Sequence, residues 1–280
     1  MTLEEALGGA LVGLFLFSIA AWIFWKRGFF APPPQERFSL VSGFSLLSIF
    51  CLYFGLMLLF YPLAAGLVSE RARAALSLLM PLAATLAAVA FTWSSEKLRF
   101  SIWNPRSKRG AELAVDFLRG VLSWFFAYPL IYFIASASAL LLIWITGEFP
   151  SDLEQSPIRY IRSLPIDSGL FWLAMFLVAG AIPLAEELLF RGYLQSWLLG
   201  KLGAFWSILI TSLIFAAIHF TEEQAELNLQ ILPSLFALSL LLGFLYEQRQ
   251  SLWAPIGLHA AFNTASLLFL FFPVENKAGL

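Results

Sequence analysis

The sequence predicts an all-α membrane protein, a polytopic bundle of about eight transmembrane helices around a buried polar cavity. Of its 280 residues, 60% are hydrophobic and only 12% are charged, against roughly 25% charged in an ordinary soluble domain. Several apolar runs reach the roughly 20 residues that a helix needs to cross the hydrocarbon core. A net charge of −1 and a pI of about 6.1 leave no basic surface for nucleic acid. The composition therefore favours membrane spans over soluble domains.

Eight apolar segments define the predicted spans, and short polar or proline-containing breaks separate them. The first segment follows an acidic "MTLEEALGG" and is longer than a signal-peptide core, so we expect it to stay in the membrane. The predicted spans cover residues 6–25, 39–68, 75–94, 120–146, 169–189, 204–220, 229–246 and 252–272.

The stretch 169–199 is too long for one straight span, since its 31 residues would extend about 45 Å as helix. Pro183 predicts a kink. We therefore expect a hairpin, in which a helix over 184–199 meets a return helix over 204–220 at the "GKLG" turn. Glu186 and His219 stand at matched distances from that turn, so the hairpin brings them to the same depth.

Three charged residues, Glu186, Glu187 and Arg191, occur in this apolar stretch. An ionised side chain facing lipid at mid-bilayer costs about 2.5–3.5 kcal/mol, so they must face protein or water. Glu187 and Arg191 are spaced i,i+4, which predicts an ion pair on one helix face. Glu186 is rotated by about 100° from Glu187 and lacks that partner. We therefore predict a supporting role for the pair and a chemical role for Glu186, against the simpler alternative of a helix-packing ion cluster.

The chain has two histidines, and both lie in apolar segments, in "FAAIHF" (His219) and "IGLHAAFN" (His259). Asn263 follows His259 at i,i+4, so the imidazole and the amide project from one helix face. Together they can stabilise a developing oxyanion. Phe215 precedes His219 by one turn, where core packing alone would explain it. A carboxylate base, two imidazoles and an amide suit the addition of water to a carbonyl.

These residues resemble three motifs of the CAAX-processing and bacteriocin-immunity (CPBP or Abi) intramembrane proteases. Glu186-Glu187-x-x-x-Arg191, Phe215-x-x-x-His219 and His259-x-x-x-Asn263 match them in order. The resemblance implies an intramembrane glutamic endopeptidase similar to CAAX prenyl proteases. It implies that Glu186 activates a water, that His219 orients it, and that His259 and Asn263 form the oxyanion site. Glu187 and Arg191 would support this geometry, as would Phe215 within the second motif.

The resemblance covers residues 169–272, which we interpret as the catalytic membrane domain, and leaves the helices of residues 1–168 without an assigned role. It implies a protein or peptide substrate, lipidated or not, in contact with membrane lipids. We expect a multi-pass protein of a prokaryotic cell membrane or an organelle membrane.

We predict no cofactor. The alternative is zinc held by Glu186, His219 and His259, although the sequence lacks H-E-x-x-H and Asn263 favours hydrogen bonding. Two other functions stay open: a proton-coupled transporter, because buried Glu and His residues also form proton relays, and a non-catalytic immunity or scaffold protein of the same fold.

Overall fold

The computed structural model describes residues 2–31, 39–65, 70–103, 109–147 and 161–272, and every regular element in these ranges is helical. The all-α prediction is confirmed. In chain order the elements are α1 (Leu3–Lys26), α2 (Gly43–Ala65), α3 (Glu70–Trp93), α4 (Glu96–Trp103), α5 (Gly110–Thr146), α6 (Gly169–Phe176), the π-helix π1 (Leu177–Ala181), α7 (Ile182–Glu187), the π-helix π2 (Leu188–Gln195), α8 (Ser196–Ala217), a 3₁₀-helix (Glu222–Leu227), α9 (Asn228–Arg249) and α10 (Trp253–Phe271).

The described helices confirm a multi-pass membrane protein. Five helical stretches are long and apolar enough to cross a membrane, and α3 with α4 gives a sixth if this pair, bent by 110°, counts as one broken span. Within α2 the stretch Gly43–Leu59 is a shorter apolar helix and is not counted among these five. The predicted number of eight is therefore not confirmed, and residues 66–68 of the predicted second span lie outside the described ranges. The five stretches are Leu3–Lys26, Gly110–Thr146, Gly169–Ala217, Ala225–Arg249 and Trp253–Phe271.

The longest of these stretches contains the predicted hairpin, and the chain reverses at Gly203. Its φ of 76° and ψ of 174° are available to glycine because it has no Cβ. The side chains of Glu186 and His219 approach to 4.0 Å, although 33 residues of straight helix would separate them by about 50 Å. The "GKLG" turn thus brings the first two motifs together.

The helix around Pro183 has π-helical geometry on both sides of α7. In π1 the hydrogen bonds run from residue i+5 to residue i, and the N–H of Ile182 donates to the carbonyl of Leu177. The next donor in this register would be Pro183, which has no N–H. The carbonyl of Val178 consequently loses its helical partner and faces another element, as described below.

Helix α5 packs against both α9 and α10 through a shared apolar core. The approach of α5 to α10 depends on two glycines, because a Cβ on Gly120 would lie 2.0 Å from the Ala254 carbonyl oxygen and one on Gly257 would lie 2.3 Å from the Phe117 carbonyl oxygen. The N-terminal helices therefore help to hold α10, which carries the third motif. The division of the chain between residues 168 and 169 stays a prediction.

The Gly257→Ala variant is expected to lose about 1–3 kcal/mol of unfolding free energy, since the new methyl group must push α5 and α10 apart. Denaturant titration in detergent micelles measures this loss. Gly55→Ala in α2 is the matched control, because its Cβ would meet nothing within 4 Å and alanine favours a helix. Equal stability of the two variants would contradict close α5–α10 packing.

Candidate active site

The predicted site residues meet at a cavity of about 330 Å³ between π1, α7, α8, α9 and α10. Its lining includes the polar side chains of Glu186, His219, His259 and Asn263, together with Phe215. Most of the remaining lining is aliphatic. All three motifs therefore contribute to one cavity. His259 lies at the depth of Glu186 although its helix, α10, is not part of the hairpin that carries Glu186 and His219.

Glu186 lies between the two imidazoles. Its Oε1 is 4.0 Å from Nε2 of His219, and its Oε2 is 3.6 Å from Nε2 of His259. Its side chain keeps 19% of its accessible surface, so the carboxylate is open to the cavity. Both separations exceed a direct hydrogen bond, so neither imidazole bonds the carboxylate directly. As expected from the helix geometry, the guanidinium of Arg191 donates to the neighbouring Glu187 rather than to Glu186.

Glu187 and Arg191 form the predicted ion pair, with 2.9 Å between Oε1 and Nη1 and no exposed side-chain surface on either residue. The same Oε1 lies 2.8 Å from Nδ1 of His259. Because a carboxylate only accepts hydrogen bonds, Nδ1 of His259 is the donor. Glu187 therefore orients the His259 imidazole as well as binding Arg191, an additional contact that the i,i+4 spacing did not predict.

His219 lies in the turn just after α8 and is fixed by the last turn of that helix. Its Nδ1 lies 2.7 Å from the carbonyl oxygen of Phe215, so this nitrogen also donates. Both imidazoles thus use Nδ1 for support and turn Nε2 towards Glu186. The Phe215 ring lies beneath the Arg191 guanidinium, with 4.8 Å from Cζ to the ring centroid. In the F-x-x-x-H motif, Phe215 therefore accepts a hydrogen bond from His219 through its backbone carbonyl and contacts Arg191 through its ring.

Asn263 links α10 to π1. Its Nδ2 donates to the Val178 carbonyl at 2.9 Å, which is the carbonyl deprived of a helical donor by Pro183. An amide NH₂ has two hydrogens, so this bond fixes the side chain and leaves the second hydrogen for another acceptor. Pro183 and Asn263 thus act together, although 80 residues separate them in the sequence.

The described residues contain no group of three or more His, Cys, Asp or Glu side chains arranged to hold a metal ion. The zinc alternative would use Nε2 of both imidazoles and the Glu186 carboxylate. The absence of a cofactor stays a prediction, tested below.

The sequence did not predict a row of hydrogen bonds that side chains of π2 form with α9. Nη2 of Arg191 donates to the carbonyl oxygen and to Oγ of Ser239, at 3.1 and 2.5 Å. One turn further, Nε2 of Gln195 donates to the Gly243 carbonyl at 3.1 Å and to Glu247 at 2.8 Å. A serine in an apolar helix carries no distinctive signal, because its hydroxyl commonly bonds its own backbone.

Together, the fold and the site define a multi-pass membrane protein with a glutamate–histidine centre inside its helix bundle. Residues 168–265 match the family described as type II CAAX prenyl endopeptidase Rce1-like. The match confirms the predicted resemblance of this part of the chain to the CAAX-processing and bacteriocin-immunity family.

One relative is "Putative membrane peptidase YdiL" of Bacillus subtilis (strain 168), which is 28% identical over 127 residues. The match covers 45% of this chain and 46% of the relative, so the chain spans about half the length of the relative that it matches. No solved structure matches the chain.

Proposed function

We propose that this protein is an intramembrane endopeptidase that hydrolyses a peptide bond with a water activated by Glu186. The observation that carries the proposal is the position of the Glu186 carboxylate, which faces the cavity between two imidazole Nε2 atoms at 4.0 and 3.6 Å. One water bonded to Glu186 and His219 would span the longer gap. The family match supports peptide hydrolysis as the reaction.

In the proposed reaction, Glu186 accepts a proton as the water oxygen attacks the carbonyl carbon of the scissile bond. His219 accepts the water's second hydrogen bond through Nε2 and aims the oxygen. The resulting tetrahedral intermediate collapses when Glu186 gives its proton to the leaving nitrogen. The C–N bond then breaks, and the products are a carboxylic acid and an amine.

The carbonyl oxygen gains negative charge during the attack, and we propose that His259 and Asn263 stabilise it. Asn263 offers the second hydrogen of Nδ2, and His259 offers Nε2–H when its ring carries two protons. The Nδ1 contact with Glu187 at 2.8 Å fixes the direction of this Nε2. Donors fixed before the reaction lower the barrier because they need no rearrangement.

The cavity lining suggests a substrate with apolar groups next to the scissile bond. Leu235 and Leu238 of α9 face the cavity, as do Phe262 and Leu270 of α10. We propose a membrane-associated peptide as substrate, and the family description makes a prenylated CAAX peptide the first probe. The same peptide without its prenyl group tests whether the lipid is required.

The deciding experiment compares membrane-protein fragments and new C-termini in cells that produce the wild type, Glu186→Gln or Glu226→Gln. Glu226 is exposed and lies outside the cavity, so it is the matched control. We expect fragments with the wild type and Glu226→Gln that disappear with Glu186→Gln. Identical fragments in all three would overturn the proposal, and pH-dependent flux in proteoliposomes without any peptide product would favour the transporter.

Exhaustive chelation is expected to leave cleavage of the probe peptide unchanged, because the proposed chemistry needs only side chains and water. Metal analysis of the purified protein accompanies the assay. Stoichiometric zinc, together with loss of turnover on its removal and recovery on its return, would replace the glutamate mechanism by a metal-assisted one.

A further inference from the structure

We infer that Ser239 of α9 is a positioning residue for His259 and acts through Arg191 and Glu187. The inference rests on the proposed function, in which His259 contacts the developing oxyanion. Ser239 lies outside the three motifs and does not line the cavity. Its effect on the reaction must therefore pass through its neighbours.

The contact between Ser239 and Arg191 is fully buried. Ser239 supplies two acceptors to the same nitrogen, since both its carbonyl oxygen and its Oγ accept from Nη2. Among the described residues, Nε of Arg191 has no hydrogen-bond partner. Ser239 and Glu187 are thus the hydrogen-bonding anchors of the guanidinium, one on each terminal nitrogen.

A guanidinium is a rigid planar fork, so the position of one terminal nitrogen fixes that of the other. The Phe215 ring at 4.8 Å supports the plane of Arg191 from one face. Within that plane, the bonds from Nη2 to Ser239 set the direction in which Nη1 meets Glu187. Loss of Oγ leaves one acceptor where there were two, and Nη1 is then free to shift.

The shift reaches His259 because Arg191 and His259 share a single oxygen of Glu187. Oε1 accepts from Nη1 at 2.9 Å and from Nδ1 at 2.8 Å, whereas Oε2 has no hydrogen-bond partner among the described residues. Any rotation of the carboxylate therefore moves the acceptor of Nδ1. This rotates the imidazole and changes the 3.6 Å separation of its Nε2 from Glu186.

The kinetic test uses Ser239→Ala, Ser239→Thr and Ser234→Ala in the full-length protein, with the probe peptide that the wild type cleaves. Ser234 also lies on α9, but its hydroxyl bonds the carbonyl of Gln230 in its own helix. We expect Ser239→Ala to lower kcat about tenfold, equivalent to about 1.4 kcal/mol of barrier. KM should stay within about twofold because Ser239 does not touch substrate. Ser239→Thr retains a hydroxyl and should restore kcat, and Ser234→Ala should match the wild type.

A second readout needs no substrate. The chain contains two histidines, so ¹⁵N-histidine labelling gives two ring spectra, which His219→Gln assigns. We expect His259 in the wild type and in Ser234→Ala to hold a proton at Nδ1 in one environment. In Ser239→Ala the His259 signals should broaden or divide between two environments, while those of His219 stay unchanged.

The inference is overturned if the His259 spectrum of Ser239→Ala equals that of the wild type, or if its kcat is unchanged while Glu186→Gln is inactive. A rise in KM at constant kcat would also overturn it, since it would indicate a role in binding. If Glu186→Gln cleaves normally, the proposed function fails instead, and the ring spectra still decide whether Ser239 positions His259. In a Glu187→Leu background Ser239→Ala should not change the His259 ring spectrum further, because leucine offers no oxygen through which Arg191 reaches His259.

Discussion

Replacement of Glu186 by glutamine is expected to lower kcat by about 10³-fold or more, with the helix bundle intact. The amide has nearly the shape of the carboxylate but cannot accept the proton of the attacking water, and a positioned base contributes about 10²–10⁴-fold. Stability should change little, because the side chain is open to the cavity and has no direct hydrogen bond to either imidazole.

Kinetic measurements with purified protein in proteoliposomes test this result, and thermal unfolding in detergent reports on the fold. Glu226→Gln is the control for the chemical change at an exposed position. A Glu186→Gln variant that keeps more than a tenth of the wild-type kcat would exclude Glu186 as the base. A variant that is inactive and also unfolded would leave Glu186 with a structural role only.

The Arg191→Leu variant is expected to lose about 3–5 kcal/mol of unfolding free energy, the largest stability effect among the site residues. It leaves the Glu187 carboxylate fully buried with one hydrogen-bond donor, His259, in place of two. Removal of one partner of a buried ion pair costs this much because the other charge stays desolvated. Denaturant titration in detergent micelles measures the loss, and the exposed Arg119→Leu should change stability by no more than about 0.5 kcal/mol.

The double variant Glu187→Leu with Arg191→Leu separates stability from activity. Replacement of a buried ion pair by apolar side chains of similar volume is often neutral or stabilising, so the double variant should recover more than half of the lost free energy. It should nevertheless stay inactive, because Nδ1 of His259 has lost its acceptor. Recovered activity would show that Glu187 and Arg191 serve the fold alone.

The sequence was sufficient to predict the helical bundle and the approach of Glu186 to His219, because a membrane restricts both. Backbone N–H and C=O groups in lipid must be paired, which favours helices. Glu186, Glu187 and Arg191 are costly to bury in a membrane unless they contact polar or charged side chains. Only a few side chains of an apolar chain could be those partners, and the matched depth of His219 followed from the length of the hairpin.

Other features could not be predicted because they depend on contacts between distant residues. The bond from Asn263 to Val178 requires a carbonyl that Pro183 leaves unpaired, and neither the proline nor the asparagine reveals this alone. Ser239 resembles any helix-packing serine until Arg191 is placed beside it. The number of spans depends on how α3 and α4 bend, and apolar composition does not specify that angle.

The π-helical stretch π2 makes the site dependent on the number of residues in the chain as well as on their identity. A hydrogen-bonded turn of π-helix contains one residue more than a turn of α-helix. The π-helical geometry takes up this residue locally, whereas a continuous α-helix over the same residues would turn the helix beyond them by about 100° about its axis. The number of residues in this segment is therefore part of what encodes the active site, together with their identity.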